Sequence, residues 1–200
     1  MPLILPSPGC HELEEKRSRF IGFCASIESE SDARQVIADV RTAHKAANHN
    51  VFAYAVKSDN IIRFNDDGEP SGTAGMPVLN VFEKAGVINY VCVVTRYFGG
   101  TLLGAGGLVR AYTRAAKGAM EAAGPIEQVF YKYYRVTCDY AQFDKVKYNF
   151  DKWGVEILDT QYTEICTIYV RVRDELAAPF LEGEFYFIEL LPDADVHIGS

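Results

Sequence analysis

Long apolar runs are missing from this 200-residue chain. Stretches such as Tyr90–Val94 reach about five residues, where a membrane-spanning helix needs ~20, so no spanning segment is expected. The opening MPLILPSPGC ends in a cysteine after small residues, but it lacks the positive start and ~7–15-residue apolar core of an export signal. A cytoplasmic protein is the expectation. Paired cysteine spacing is also missing: Cys10, Cys24, Cys92, Cys138 and Cys166 form an odd set with no CxxC, which gives no sign of a zinc knot or a disulfide framework and fits reduced thiols. Positive charge is scarce. With 20 Lys+Arg against 27 Asp+Glu and a net charge of −7, no broad face can coat a polyanion, and any nucleic-acid contact has to be a local patch. GxxxxGK[ST], HExxH, GxSxG and SxxK are all absent, so nothing supports a P-loop, a zinc protease or a serine hydrolase.

What remains is ordinary globular composition, 48% hydrophobic and 24% charged, enough to bury roughly 70% of the unfolded chain's surface. The charge is uneven: residues 1–128 are net −1 and residues 129–200 net −6. The seam falls at GPIEQ (124–128), where Gly124 follows an alanine-rich segment and Pro125 forbids continuation as helix. This divides the chain into domains 1–127 and 128–200.

In the first domain, Lys16 to Ile27 alternates as a strand, and a helix capped by Ser31 or Asp32 follows to about residue 46. Val51–Val56 and Ile61–Phe64 form a hairpin around Ser58-Asp59-Asn60. A helix spans Met76–Lys84 with Pro77 in its first turn, and Tyr90–Thr95 is an apolar strand central in its sheet. A long helix from about 104 to 123 buries Leu108, Val109, Tyr112, Ala115, Ala116, Ala119 and Met120. The second domain reads as strand 129–139, helix 141–153, strands 155–162 and 164–172, a short helix 175–181 and strand 185–191. The expected class is α+β: a β-α-β-β-α-β-α sandwich followed by a smaller ferredoxin-like β-α-β-β-α-β domain.

Nine of the sixteen glycines fall between 68 and 107. The turn RYFGGTLLGAGG (96–107) enters a helix, so its N–H groups and the helix's positive end suit a phosphate; close helix packing is the competing explanation. GAGGLV at 104–109 places valine where the third dinucleotide glycine belongs, which leaves nucleotide binding weakly supported. Arg110, Arg114 and Lys117 recur on one side of that helix and Arg96 ends the preceding strand, with Tyr97 and Phe98 available to stack on a base. The acidic loop Asp66-Asp67-Gly68-Glu69 suits either a turn or a Mg²⁺ site with acid/base carboxylates, and His49 is the accompanying acid/base candidate; no metal or cofactor is assigned. The cysteines read as core residues, and the second domain lacks the glycines of the aromatic ribonucleoprotein signature, so protein contact is its expected role.

RFNDDGEPSGTAGMPVLNVF (63–82), VVTRYFGGTLLGAGGLVRAY (93–112) and the His44/Lys45/His49 segment resemble the signature of the IMPACT/YigZ family over residues ~15–125. The resemblance implies a first domain folded like the second domain of a small-subunit ribosomal protein and a second domain similar to the last domain of elongation factor G. It also implies a link to translation and to RNA or the ribosome. Eukaryotic members act through an extra N-terminal domain, so their kinase-regulating role is not carried over. Matching site positions here are Asp66, Asp67, Glu69, Ser71, Thr73, Arg96, Gly99, Gly100, Gly104, Gly106 and Arg110. The leading expectation is an RNA- or ribosome-associated protein in which Arg96, Arg110, Arg114 and the 99–107 turn engage phosphates and Tyr97 or Phe98 stacks. The alternatives are a Mg²⁺-dependent enzyme on a small phosphorylated substrate, with Asp66, Asp67 and His49 as its chemistry, and a protein-interaction module without a small ligand.

Overall fold

The structure is a computed structural model that describes residues 1–182 and 187–191. It contains two compact units, Met1–Gln128 and Val129–Ser200. In the first, a short strand β1 (Leu3–Ile4) precedes β2 (Gly9–Glu15) and β3 (Ser18–Ser26). Then come α1 (Glu30–Ala43), β4 (His49–Val56), β5 (Ile61–Asn65), α2 (Gly75–Ala85), β6 (Tyr90–Tyr97), α3 (Ala105–Ala123) and β7 (Ile126–Glu127), which pairs with β1. The main sheet has the order β2-β3-β6-β4-β5 and every pairing is antiparallel. β6 sits at its centre, buried from Tyr90 to Arg96, because an unbroken apolar run has both faces to cover. On one face α2 and α3 close a core that includes Phe20, Val51, Ala53, Phe82, Tyr90, Cys92, Val94 and Tyr112; on the other, α1 covers Tyr54, Val56, Val91 and Val93.

Several local expectations are corrected. Lys16 and Arg17 do not begin a strand: at φ 48° and 65° they form the two-residue turn between β2 and β3, and β2 itself, with Gly9 and Leu13 buried and polar residues between and after them, gave no clear alternation. The cap of α1 is Ser29, not Ser31 or Asp32. Ser29 Oγ accepts the Asp32 N–H at 3.2 Å and Asp32 accepts the Ser29 N–H at 2.9 Å, a reciprocal capping box. Val109 is exposed, because the buried stripe of α3 runs through Leu108, Ala111, Tyr112, Ala115 and Ala119 and leaves it at the margin. Over β3 that stripe is alanine, and Gly22 beneath Ala115 and Ala119 has no room for a methyl group: a Cβ there would lie 2.4 Å from the Ala115 carbonyl oxygen. α3 therefore lies tight on β2 and β3, which fixes where its N-terminus points.

The second unit consists of β8 (Tyr131–Cys138), α4 (Tyr140–Trp153), β9 (Glu156–Tyr162), β10 (Cys166–Arg173), a 3₁₀ turn (Asp174–Leu176), α5 (Ala177–Leu181) and β11 (Phe187–Leu191). Its antiparallel sheet runs β11-β8-β10-β9, the ferredoxin-like arrangement. Tyr134, Val136, Ile168, Val170 and Val172 meet Val146, Phe150 and Phe180 in a separate core. Of the strand read at 185–191, residues 185 and 186 lie outside the described residues.

Candidate functional site

Three side chains line up across the sheet face that α2 and α3 cover. β3 and β4 both pair with β6, and the register sets Phe20 and His49 on either side of Arg96. An arginine in the middle of a packed face needs an acid, and Glu69 supplies it from the loop after β5. Arg96 Nη1 donates to Glu69 Oε1 at 2.6 Å, with the two side chains only 6% and 4% exposed. Tyr112 of α3 donates its hydroxyl to the same oxygen at 2.7 Å. Burial, with the Glu69 carboxylate beside it, pushes the Tyr112 phenol far above its ordinary range, so the hydroxyl keeps its proton and remains a donor. Phe20 and Phe98 lie 5.4 and 5.5 Å from the guanidinium carbon, and Arg96 Nε is buried with no acceptor. Arg96 is thus engaged by Glu69, by Ser18 Oγ at 3.4 Å and by the two rings.

His49 completes the cluster. Its Nδ1 lies 2.8 Å from the Asp67 carbonyl oxygen; a carbonyl only accepts, so Nδ1 carries a proton. Nε2 faces Glu69 Oε1 at 3.9 Å. Asp67 holds this geometry from the left-handed region, φ 47°, with its carboxylate accepting from the Asn50 N–H and from Arg41, both at 2.7 Å. Asp66 accepts backbone N–H groups of Gly72, Ala74 and Gly75 at 2.9, 3.0 and 2.8 Å and so caps the start of α2. Both carboxylates accept from protein donors in this arrangement. Thr73 donates to the Pro70 carbonyl at 2.6 Å and shapes the same loop, where Ser71 is exposed.

Glu69, Pro70, His49, Arg96, Phe98, Leu102, Leu103, Gly104, Ala105 and Leu108, with Asn48, line one cleft of about 390 Å³. The two glycine-bearing segments, distant in the chain, thus meet in a single site. Its walls are largely apolar, and its buried charges cancel, so it lacks the strong positive bias the sequence suggested. The anion-favouring feature is the start of α3. Gly104 is its N-cap with φ 72° and no side chain caps the helix, leaving the positive end of 19 aligned residues to the cleft mouth. Arg110 curls back over that turn: its Nη1 would lie 3.5 Å from a Cβ at Gly106, and among the described residues it makes no ion pair. Gly99 packs against the β2–β3 turn so closely that a Cβ would fall 2.0 Å from the Arg17 carbonyl carbon, and Gly100 follows with φ 81°.

The rest of the expected cationic and aromatic patch disperses. Arg114 pairs with Glu15 at 3.1 Å and Lys117 with Glu121 at 3.5 Å. Tyr97 follows Arg96 in a strand and so faces the opposite side, where its hydroxyl meets His44 Nδ1 at 2.9 Å; Phe98, 44% exposed, is the ring that reaches the cleft. Three contributors went unrecognised in the sequence. Asn48 Oδ1 accepts the Phe98 N–H at 2.8 Å, Ser18 Oγ accepts the Gly99 N–H at 3.1 Å, and the Tyr112 hydroxyl braces Glu69. The signal for Tyr112 was a phenol on an otherwise alanine-lined buried face, which has to find an acceptor.

The Impact N-terminal domain family matches residues 16–120, and a family described as a domain of unknown function matches residues 136–182. IMPACT family member YvyE of Bacillus subtilis is 34% identical over 175 residues, 87% of this chain and 81% of the relative. IMPACT family member YigZ of Escherichia coli is 31% identical over 88% of this chain and 89% of its own length. A crystal structure described as that of a hypothetical protein aligns over 96% of this chain and 97% of its own at TM-score 0.61 and 29% identity.

Proposed function

The chain belongs to the IMPACT family, and from that premise we propose that it binds single-stranded RNA or an exposed ribosomal RNA segment, in the translation-linked setting the family resemblance implies. A phosphate sits on the N-terminal turn of α3, held by Gly104–Gly106 N–H groups and Arg110, while the neighbouring base stacks on Phe98. One observation carries the reading: an uncapped 19-residue helix start with an unpaired arginine folded over it opens into the same cleft as an exposed phenylalanine. N–H groups, a helix dipole and a cation together favour an anion, and an adjacent ring favours a base. The second unit, net −6, contacts protein rather than nucleic acid.

The test is fluorescence anisotropy with a labelled mixed-sequence single-stranded RNA across a salt series. Arg110→Glu is expected to weaken binding about tenfold and flatten the slope of log K against log salt by about one or two. Phe98→Ala weakens binding about fivefold or more with an unchanged slope. Arg114→Glu, whose guanidinium already serves Glu15, changes affinity far less than Arg110→Glu. Equal affinity for wild type and both Arg110→Glu and Phe98→Ala refutes the site.

A further inference from the structure

We infer that the single strand runs out of the cleft across the β2–β3 turn, where Lys16 and Arg17 take its next phosphates, so the ligand is a run of nucleotides rather than a mononucleotide. The turn has only two residues, since Glu15 pairs directly with Ser18, and both stand in the left-handed region, at φ 48° and 65°. Asn-Gly fills such a turn at least cost, and a long side chain is disfavoured at either position. Two cations therefore occupy it against backbone preference. Both are exposed, and neither forms an ion pair among the described residues. A conformational cost with no contact inside the protein to offset it points to a contact outside.

The turn is fixed to the cleft. Gly99 follows Phe98 at the cleft's edge, and a Cβ on it would fall 2.0 Å from the Arg17 carbonyl carbon and oxygen. Its N–H donates to Ser18 Oγ at 3.1 Å, and Ser18 is fully buried. The two cations are thus held beside the ring that takes a base, with little ordering left to lose on binding. Charge favours the same path. Of the acids on β2, Glu12 is taken by Arg19 at 2.6 Å and Glu15 by Arg114 at 3.1 Å. Glu14 is left, but strand alternation turns it away from Leu13, to the face that α3 does not cover. With Arg110 over the start of α3, three cations without an ion pair among the described residues border one cleft, in a unit that is net −1. A mononucleotide whose phosphate is held by α3 has none left for the turn; a longer strand does.

The inference rests on the RNA reading above, and the experiment separates the two. The variant Lys16→Asn/Arg17→Gly installs the residues the turn prefers, so it folds and its melting temperature is expected to rise by a few degrees. Its anisotropy titration with a labelled uridine octanucleotide shows binding about tenfold weaker than wild type, with a slope of log K against log salt flatter by about 1.4, two single-strand phosphates' worth. The dinucleotide UpU, read by competition, binds variant and wild type alike. The control Lys57→Asn/Lys84→Asn removes the same charge at the far end of β4 and the last turn of α2, and octanucleotide affinity stays within about twofold of wild type. Unchanged octanucleotide affinity in the turn variant overturns the path over the turn and leaves the RNA reading standing. An equal loss in the control assigns the effect to net charge, and a lowered melting temperature denies the backbone cost; either overturns the inference. No binding of the octanucleotide to wild type overturns both readings.

Discussion

The buried Arg96–Glu69 pair is the element whose removal should be felt most. Glu69→Leu strands a guanidinium whose side chain is 6% exposed and deprives the Tyr112 hydroxyl of its acceptor. Breaking one partner of a buried pair costs about 3–5 kcal/mol and an orphaned buried hydroxyl about 1–3 kcal/mol. A loss of about 4–8 kcal/mol is therefore expected, against a typical domain stability of about 5–15 kcal/mol. Arg96→Met costs about 3–5 kcal/mol by stranding the carboxylate. The double variant Glu69→Leu/Arg96→Met removes both charges and is expected to lose far less than the sum, with a coupling energy of about 3 kcal/mol. The chain has one tryptophan, Trp153, which belongs to the second unit and reports its unfolding. Urea unfolding of the first unit is best followed by far-UV circular dichroism together with amide exchange along β6. Additive losses, or single-variant losses below about 1 kcal/mol, would show that the pair does not organise the cleft.

Other variants probe separate features. Asp66→Ala removes the acceptor of three N–H groups at the start of α2 and should cost about 2 kcal/mol, with Asp66→Asn costing less; a melting temperature raised by Mg²⁺ in wild type and not in Asp66→Ala would contradict this capping role. Gly22→Ala drives a methyl group into the α3 backbone and is expected to lose about 3 kcal/mol in urea unfolding, whereas a loss near zero would mean that α3 can lift off the sheet. Cys10 is exposed, while burial pushes the Cys24 and Cys138 thiols up to about 11 and Cys92 well above its ordinary value, so native alkylation at neutral pH should label Cys10 ahead of the other four, as read by peptide mass spectrometry. The Ser29 hydroxyl and the Glu28 and Ser29 N–H groups hold the Asp32 carboxyl below its usual range. A folded value below the unfolded one means that this capping contribution is complete above about pH 4 and is lost as pH falls below it, so amide exchange in the first turn of α1 should quicken there, and Asp32→Asn should remove that acid response.

Periodicity made most of the first unit legible. The unbroken apolar run at Tyr90–Val94 marked a central strand, and the leucine, tyrosine and alanine spacing of α3 marked its buried stripe with one error, Val109. β2 escaped because an edge strand with a single buried side chain carries almost no alternation, and the α1 cap was misplaced because Ser29, Ser31 and Asp32 all suit that role by type. Within the site, the glycine-rich segments, Arg110 and Phe98 were visible as residue types in the right chemistry. The fate of Arg96, Asp66 and Asp67 was not, because whether a charged side chain is free or consumed depends on what the fold brings against it.

The order of residues alone determined the element types and the presence of two segments, 63–82 and 93–112, rich in turn formers and charge, since backbone propensity and hydrophobic period are local properties. Only the tertiary structure decided that antiparallel register would align Phe20, Arg96 and His49, that Glu69 would cancel the arginine, and that Tyr97 and Phe98 would face opposite sides. Those outcomes follow from pairing between strands remote in the chain and from the exclusion of water between them, and no local pattern encodes either.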